Sequence, residues 1–259
     1  MRFSPIRALL PVAALALAGA CQSAMAGTVV PCNGNCTWSV DADGVEIASG
    51  SYLVDPTSGE ISLRSPWSRA LGDGAFVSVD TMNGNSDPIL GFSVFAGTGA
   101  VGKNFAFNFS LPIELSGLIN ASSSVSYSLT SLSSAGAQID PLSGHVVTAQ
   151  DVDTSVGGLS SLNKGVDIGP RFFFVGGPQT QNSPIYTTTN VFAGDLAYDL
   201  MSVTIAFSLS ANANVGVSGF VQQLPAPVPL PAAAWLLGSG LLALGGAFRR
   251  RRNLAEVGV

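Results

Sequence analysis

The sequence predicts an all-β body: a single β-sandwich, of which a jelly-roll winding is one form. Two observations carry this. Apolar and polar residues alternate over short stretches, as in Phe105, Phe107, Phe109 and Leu111 against Ala106, Asn108 and Ser110. Turn-forming Gly, Pro, Asn and Ser punctuate these stretches at short intervals, with no amphipathic helical stretch of useful length between them.

The elements follow in order. Phe76, Val77 and Val79 precede Asp80, and Ile89 to Phe95 forms the next apolar run. After the Phe105–Leu111 alternation, Val125, Tyr127 and Leu129 alternate with serines. Residues 171–175, 201–209 and 215–221 complete the set. Turns are expected at Asn83-Gly84, Asp87-Pro88, Ser143-Gly144 and Gly176-Gly177-Pro178. Strand order cannot be read from such a pattern, and no sustained repeat is present.

Both ends differ from this body. Residues 1–26 read as a Sec signal peptide, with Arg2 and Arg7 ahead of an apolar stretch and Ala24-Met25-Ala26 as the cleavage signature. The β-rich extracytoplasmic domain spans 27–224. Proline then recurs at every second position, Pro225, Pro227, Pro229 and Pro231, so 225–231 is expected to be extended and polyproline-like. Residues 232–248 carry no charge and, at ~1.5 Å per residue, reach about 25 Å, enough for a short transmembrane helix. In the last segment, 249–259, Arg249, Arg250, Arg251 and Arg252 fix that end on the cytoplasmic side.

Val228-Pro229-Leu230-Pro231-Ala232, a hydrophobic helix and an arginine cluster near the C-terminus together resemble the sorting tail of PEP-CTERM proteins, in the VPLPA variant. The resemblance covers about the last thirty residues and not the body. It implies recognition by an exosortase-type membrane enzyme, a transient stay in the inner membrane, and a destination at the cell surface or in an extracellular polysaccharide matrix of a Gram-negative bacterium. Val228 to Ala232 would be the recognised strip. Where the common motif has Pro-Glu-Pro, this chain has Pro229-Leu230-Pro231, which leaves the choice of enzyme open.

Charge and cysteine content narrow the body further. Between residues 27 and 227 five basic residues face fifteen acidic ones, a net charge of −10 that basic ends reduce to −5 for the whole chain. That balance argues against nucleic acid as a partner. Cys32 and Cys36 flank an Asn-Gly turn and suit a small disulfide loop in an oxidising compartment. Cys21 belongs to the signal, where a lipobox is a minor alternative.

A search for chemistry finds no catalytic set. The one histidine, His145, sits in a turn sequence, and no Gly-x-Ser-x-Gly elbow surrounds any serine. Asp41/Asp43 and Asp151/Asp153 read as solvated turn acids rather than a glycosidase pair. Asn83, Asn85 and Asp87 place oxygen ligands at alternate positions, which would suit Ca²⁺ in a loop, although the sequence is not an EF-hand and the same residues make ordinary turns. No cofactor is implied beyond that ion. Trp38, Tyr52 and Trp67 could stack on sugars or fill a core. The expected function is therefore an exported, non-enzymatic surface or matrix protein sorted through its tail. The alternatives are a polysaccharide-binding or polysaccharide-cleaving β-domain using the same delivery, and an unprocessed single-span envelope protein.

Overall fold

The computed structural model describes residues 36–55, 58–85, 88–156, 159–161, 166–194 and 198–226, together with Ser239. The expected signal peptide, the expected recognition strip from Val228 to Ala232, the expected membrane segment apart from Ser239, and the four arginines lie outside these residues. Among the described residues no helix is long and apolar enough to cross a membrane.

Among the described residues seventeen strands follow in chain order. They are β1 (Thr37–Ala42), β2 (Val45–Ser51), β3 (Leu53–Val54), β4 (Glu60–Ser62), β5 (Trp67–Gly72) and β6 (Ala75–Asn85). Next come β7 (Ile89–Gly97), β8 (Lys103–Pro112), β9 (Gly117–Ser131), β10 (Ala137–Pro141), β11 (Val147–Asp153) and β12 (Leu159–Ser161). The last are β13 (Phe172–Phe174), β14 (Gln179–Asn182), β15 (Tyr186–Gly194), β16 (Leu200–Leu209) and β17 (Ala213–Pro225). One 3-10 turn, Thr154–Val156, interrupts them.

They form two antiparallel sheets that enclose one core. Sheet A runs β12-β11-β16-β8-β1-β2, with β10 and β13 attached beside β16. Sheet B runs β14-β9-β17-β7-β6-β4-β3, with β15 on β9 and β5 on β6. The pairings nest: β11 with β12, β10 with β13, β9 with β15, β8 with β16, and β7 with β17. The first two pairs lie in sheet A, and from there outward the pairs alternate, β9/β15 in sheet B, β8/β16 in sheet A and β7/β17 in sheet B.

Alternation decides which side chains enter the core, because neighbours on a strand point to opposite faces. Phe105, Phe107, Phe109 and Leu111 of β8 are buried, as are Met201, Val203, Ile205, Phe207 and Leu209 of β16. Sheet B answers with Val125, Tyr127 and Leu129 of β9, Val215, Val217 and Val221 of β17, and Leu90, Phe92, Val94 and Ala96 of β7. Strand β6 keeps the pattern across an irregularity. Its register shifts between Val79 and Thr81, so Met82 rather than Thr81 turns inward. A bulge inserts one residue, here Asp80, and reverses the parity beyond it.

Several expectations change. Asn83-Gly84 lies inside β6, not in a turn, because the strand continues to Asn85 opposite Ile89. The stretch 171–175 contributes only a three-residue strand. Pro225 ends β17 opposite Ile119 instead of opening the proline strip. Ser143-Gly144 is a turn, as expected, and Gly176-Gly177-Pro178 forms a loop with a cis bond before the proline. The tight hairpins fall at Asp43-Gly44 and Asp73-Gly74, where all four residues have positive φ. Asp-Gly supplies that geometry at little steric cost.

Candidate binding face

Among the described residues, the outward side chains of sheet B build a site-like surface. Six of them share one register level across six strands: Glu60, Asn85, Ile89, Gln222, Ser122 and Thr189. The adjacent level reads Ser62, Asn83, Gly91, Phe220, Ser124 and Thr187. Two open hollows, of about 670 and 560 Å³, lie over these levels and share Gln222 in their linings. One adds Ser58 and Gly84, and the other adds Asn120, Val191 and Leu224.

The lining is amide, hydroxyl and small apolar. Glu60, at the β4 margin, is the one charged residue among the described residues of either lining. Phe220 is 37 % exposed and stands between Gly91 and Ser124. Neither neighbour carries a tall side chain, so the ring is reachable. A Cβ on Gly91 would lie 2.4 Å from Asn83 Oδ1, which shows the carboxamide leaning over that glycine toward Phe220. Asn85 lines the groove, but its Oδ1 is shielded from solvent and has no hydrogen-bond partner.

Farther along the same face two more rings lie over glycines. A Cβ on Gly97 would fall 2.2 Å from Phe76 Cε1, and one on Gly216 would sit 3.5 Å from Phe95 Cδ2. Phe76 and Phe95 stack with centroids 5.3 Å apart and planes 29° apart. Between the aromatic areas the floor is hydroxyl, with Ser126 and Ser218 Oγ atoms 3.3 Å apart.

The residues singled out from sequence are placed elsewhere, with one exception. Asn83 and Asn85 do share a face and line the groove, but on a strand, and Asp87 lies outside the described residues. No group of three or more His, Cys, Asp or Glu side chains among the described residues could hold a metal ion. Cys36 is buried and disulfide-bonded, while Cys32 lies outside the described residues. His145 is an exposed turn residue. Trp38 and Tyr52 are core residues, and Trp67 packs on Trp38 with ring centroids 5.6 Å apart.

The carboxylates that neighbour each other in sequence lie away from the groove. Asp151 and Asp153 are 3 % and 8 % exposed on the inner face of β11, which corrects their reading as solvated turn acids. Asp151 Oδ1 accepts from Gln223 Nε2 at 2.9 Å, and Asp153 Oδ1 accepts from the Ser155 amide and hydroxyl. On sheet A, Asp41 Oδ2 accepts from Asn108 Nδ2 at 3.0 Å. In the β1–β2 turn, the Asn104 amide and Lys103, 2.9 Å away, hold the Asp43 carboxyl below the usual carboxylate range.

No protein-family model matches the chain. No curated protein matches it either. Among solved structures, one likeness is TmCBM61 bound to β-1,4-galactotriose, with TM-score 0.27, 11 % identity, and 63 % of this chain and 90 % of that chain covered. Another is the CBM22-1 xylan-binding domain of Paenibacillus barcinonensis Xyn10C, with TM-score 0.28, 12 % identity, and coverage of 63 % and 88 %. A third is the Stig cyclase Fisc from Fischerella sp. TAU, with TM-score 0.26, 11 % identity, and coverage of 68 % and 90 %. At these scores the likenesses carry no argument about function.

Proposed function

We propose that this chain is an exported β-sandwich that binds polysaccharide on the outer face of sheet B. One observation carries the reading: an open groove lined by carboxamides and hydroxyls runs past the reachable ring of Phe220. Sugars present hydroxyls to amides and C–H faces to aromatic rings, so such a lining suits them. The nested strand pairing supports a jelly-roll winding for the body.

The binding is proposed to be non-enzymatic. Hydrolysis by the usual route needs two carboxylates flanking the bond. Among the described lining residues Glu60 is alone, while Asp151 and Asp153 point into the core. Calcium is not needed for this reading. Affinity electrophoresis against a panel of matrix polysaccharides tests it: retarded migration without loss of polymer length is expected. Free migration in every gel would remove the proposal.

Delivery through the tail is a second proposal, resting on the Val228-Pro229-Leu230-Pro231-Ala232 strip and Arg249 to Arg252. An exosortase-type enzyme would act on the chain in the inner membrane and pass the body to the cell surface or matrix. Mass spectrometry of surface-extracted protein tests this. Loss of everything after the strip is expected; intact Trp235-to-Arg252 peptides would instead indicate a permanent single-span anchor.

A further inference from the structure

We infer that the ligand is an uncharged polysaccharide laid across the strands of sheet B, with one sugar ring stacked on Phe220. The inference rests on the polysaccharide-binding reading above and specifies its substrate class and orientation.

Orientation comes from register. Asn85, Ile89, Gln222, Ser122 and Thr189 occupy one level on five successive strands, β6, β7, β17, β9 and β15. Neighbouring strands lie about 4.8 Å apart, so the level extends roughly 19 Å and offers a new side chain at each step. That step is comparable to the length of one pyranose unit, so a chain crossing the strands meets a fresh side chain with each sugar. A chain running along a strand would meet outward side chains from every second residue and would leave the groove. The two hollows adjoin at Gln222, which places the path across the strands.

Charge comes from the lining and its surroundings. A polyuronate or sulfated polymer needs Lys or Arg, and neither occurs among the described residues that line the hollows. The body around the groove carries a net charge of −10, which repels polyanions at long range. A polycation would gain from that field, but among the described lining residues its ammonium groups would find one carboxylate, Glu60, at the end of the path. Uncharged hydroxyls instead match Asn83, Asn85, Gln222, Ser122 and Asn120.

The test uses the full chain in a detergent without a sugar headgroup, titrated with a neutral β-glucan and a neutral xylan, a polyuronate, and chitosan. Oligosaccharides of two to six units from the best neutral polymer follow. A neutral polymer is expected to bind, with affinity rising with length to about four units, as the spacing of five strands implies. Raising salt from about 0.1 to 1 M, which shortens the screening length from about 10 to 3 Å, should leave Kd within about twofold. Phe220→Ala and Gln222→Ala should each weaken binding by about tenfold or more, with unchanged circular dichroism and Tm. Phe220→Tyr should restore most of the loss.

Binding to the polyuronate or chitosan alone would overturn this inference while leaving polysaccharide binding intact. So would affinity independent of oligosaccharide length, or neutral-polymer binding unaffected by Phe220→Ala in a folded variant. Failure of every polymer to bind would overturn both.

Discussion

Gln223 Nε2 donates to Asp151 Oδ1 across 2.9 Å and joins sheet B to sheet A through the interior of the sandwich. Gln223 is fully buried, and its own Oε1 has no hydrogen-bond partner. The residue before it, Gln222, points outward into the groove. One Gln-Gln dipeptide on β17 therefore serves the core and the surface, because adjacent side chains on a strand face opposite ways.

Removing that donor should destabilise the fold without touching the groove. Gln223→Leu is expected to cost about 1–3 kcal/mol, the range for depriving a buried polar group of a partner. Gln223→Glu should cost more, since it places a second carboxyl group against Asp151. Urea denaturation midpoints check the order, and glycan affinity of the folded protein should be unchanged by Gln223→Leu.

Glycine replacement should separate the faces of β17. A Cβ on Gly219 would lie 2.0 Å from the Ser124 carbonyl oxygen and 3.1 Å from Phe92 Cζ, so Gly219→Ala forces backbone movement. A loss of about 1–3 kcal/mol or more is expected. Gly216→Ala meets Phe95 Cδ2 at 3.5 Å, an ordinary contact, and should change stability by no more than about 0.5 kcal/mol. Thermal melts of the two variants measure the contrast.

Alkaline unfolding should report Tyr127. Burial, with a smaller contribution from neighbouring Tyr186, raises its phenol well above the ordinary tyrosine value. A raised folded-state value gives stability that is complete below the unfolded value, about 10, and is lost as pH climbs toward the folded one. Tyr127→Phe should flatten that alkaline limb. At neutral pH it should be close to neutral, since Tyr127 Oη has no hydrogen-bond partner to lose.

Acid should act on the hairpin at Asp43. Its lowered value stabilises the fold above about pH 3.9, the unfolded value, and that contribution disappears as pH falls through the folded one. Asp43→Asn keeps the positive-φ turn, which asparagine tolerates, and removes the titration. The acid limb should flatten slightly, with a smaller difference at high salt, because the Asp43 side of this ion pair is about half exposed.

How much was legible in the sequence varies residue by residue. Phe105 to Leu111 announced both a strand and its buried face, since large aromatics alternating with Asn and Ser leave one arrangement. Asp151 and Asp153 were not legible as core residues. Their partner Gln223 is 72 positions away, and only sheet-to-sheet packing brings it near. Asn83 and Asn85 were legible as oxygen-bearing residues at alternate positions of a loop but not as strand residues sharing a face, because Asn-Gly ordinarily signals a turn. Phe220 and Gln222 went unremarked: between small residues, one ring and one amide carry no periodic signal.

Local order by itself determined the all-β character of this chain, its turn-rich spacing, and the tripartite tail on which the sorting proposal rests. Those features depend on neighbours within a few residues, where pleat geometry, proline stereochemistry and hydrophobic length act directly. Tertiary structure alone decided the nested pairing, the interior placement of the acids, and the uncharged row from Asn85 to Thr189. Each of these depends on register between strands far apart in the chain. Register is set by closing one shared core, which no single segment encodes.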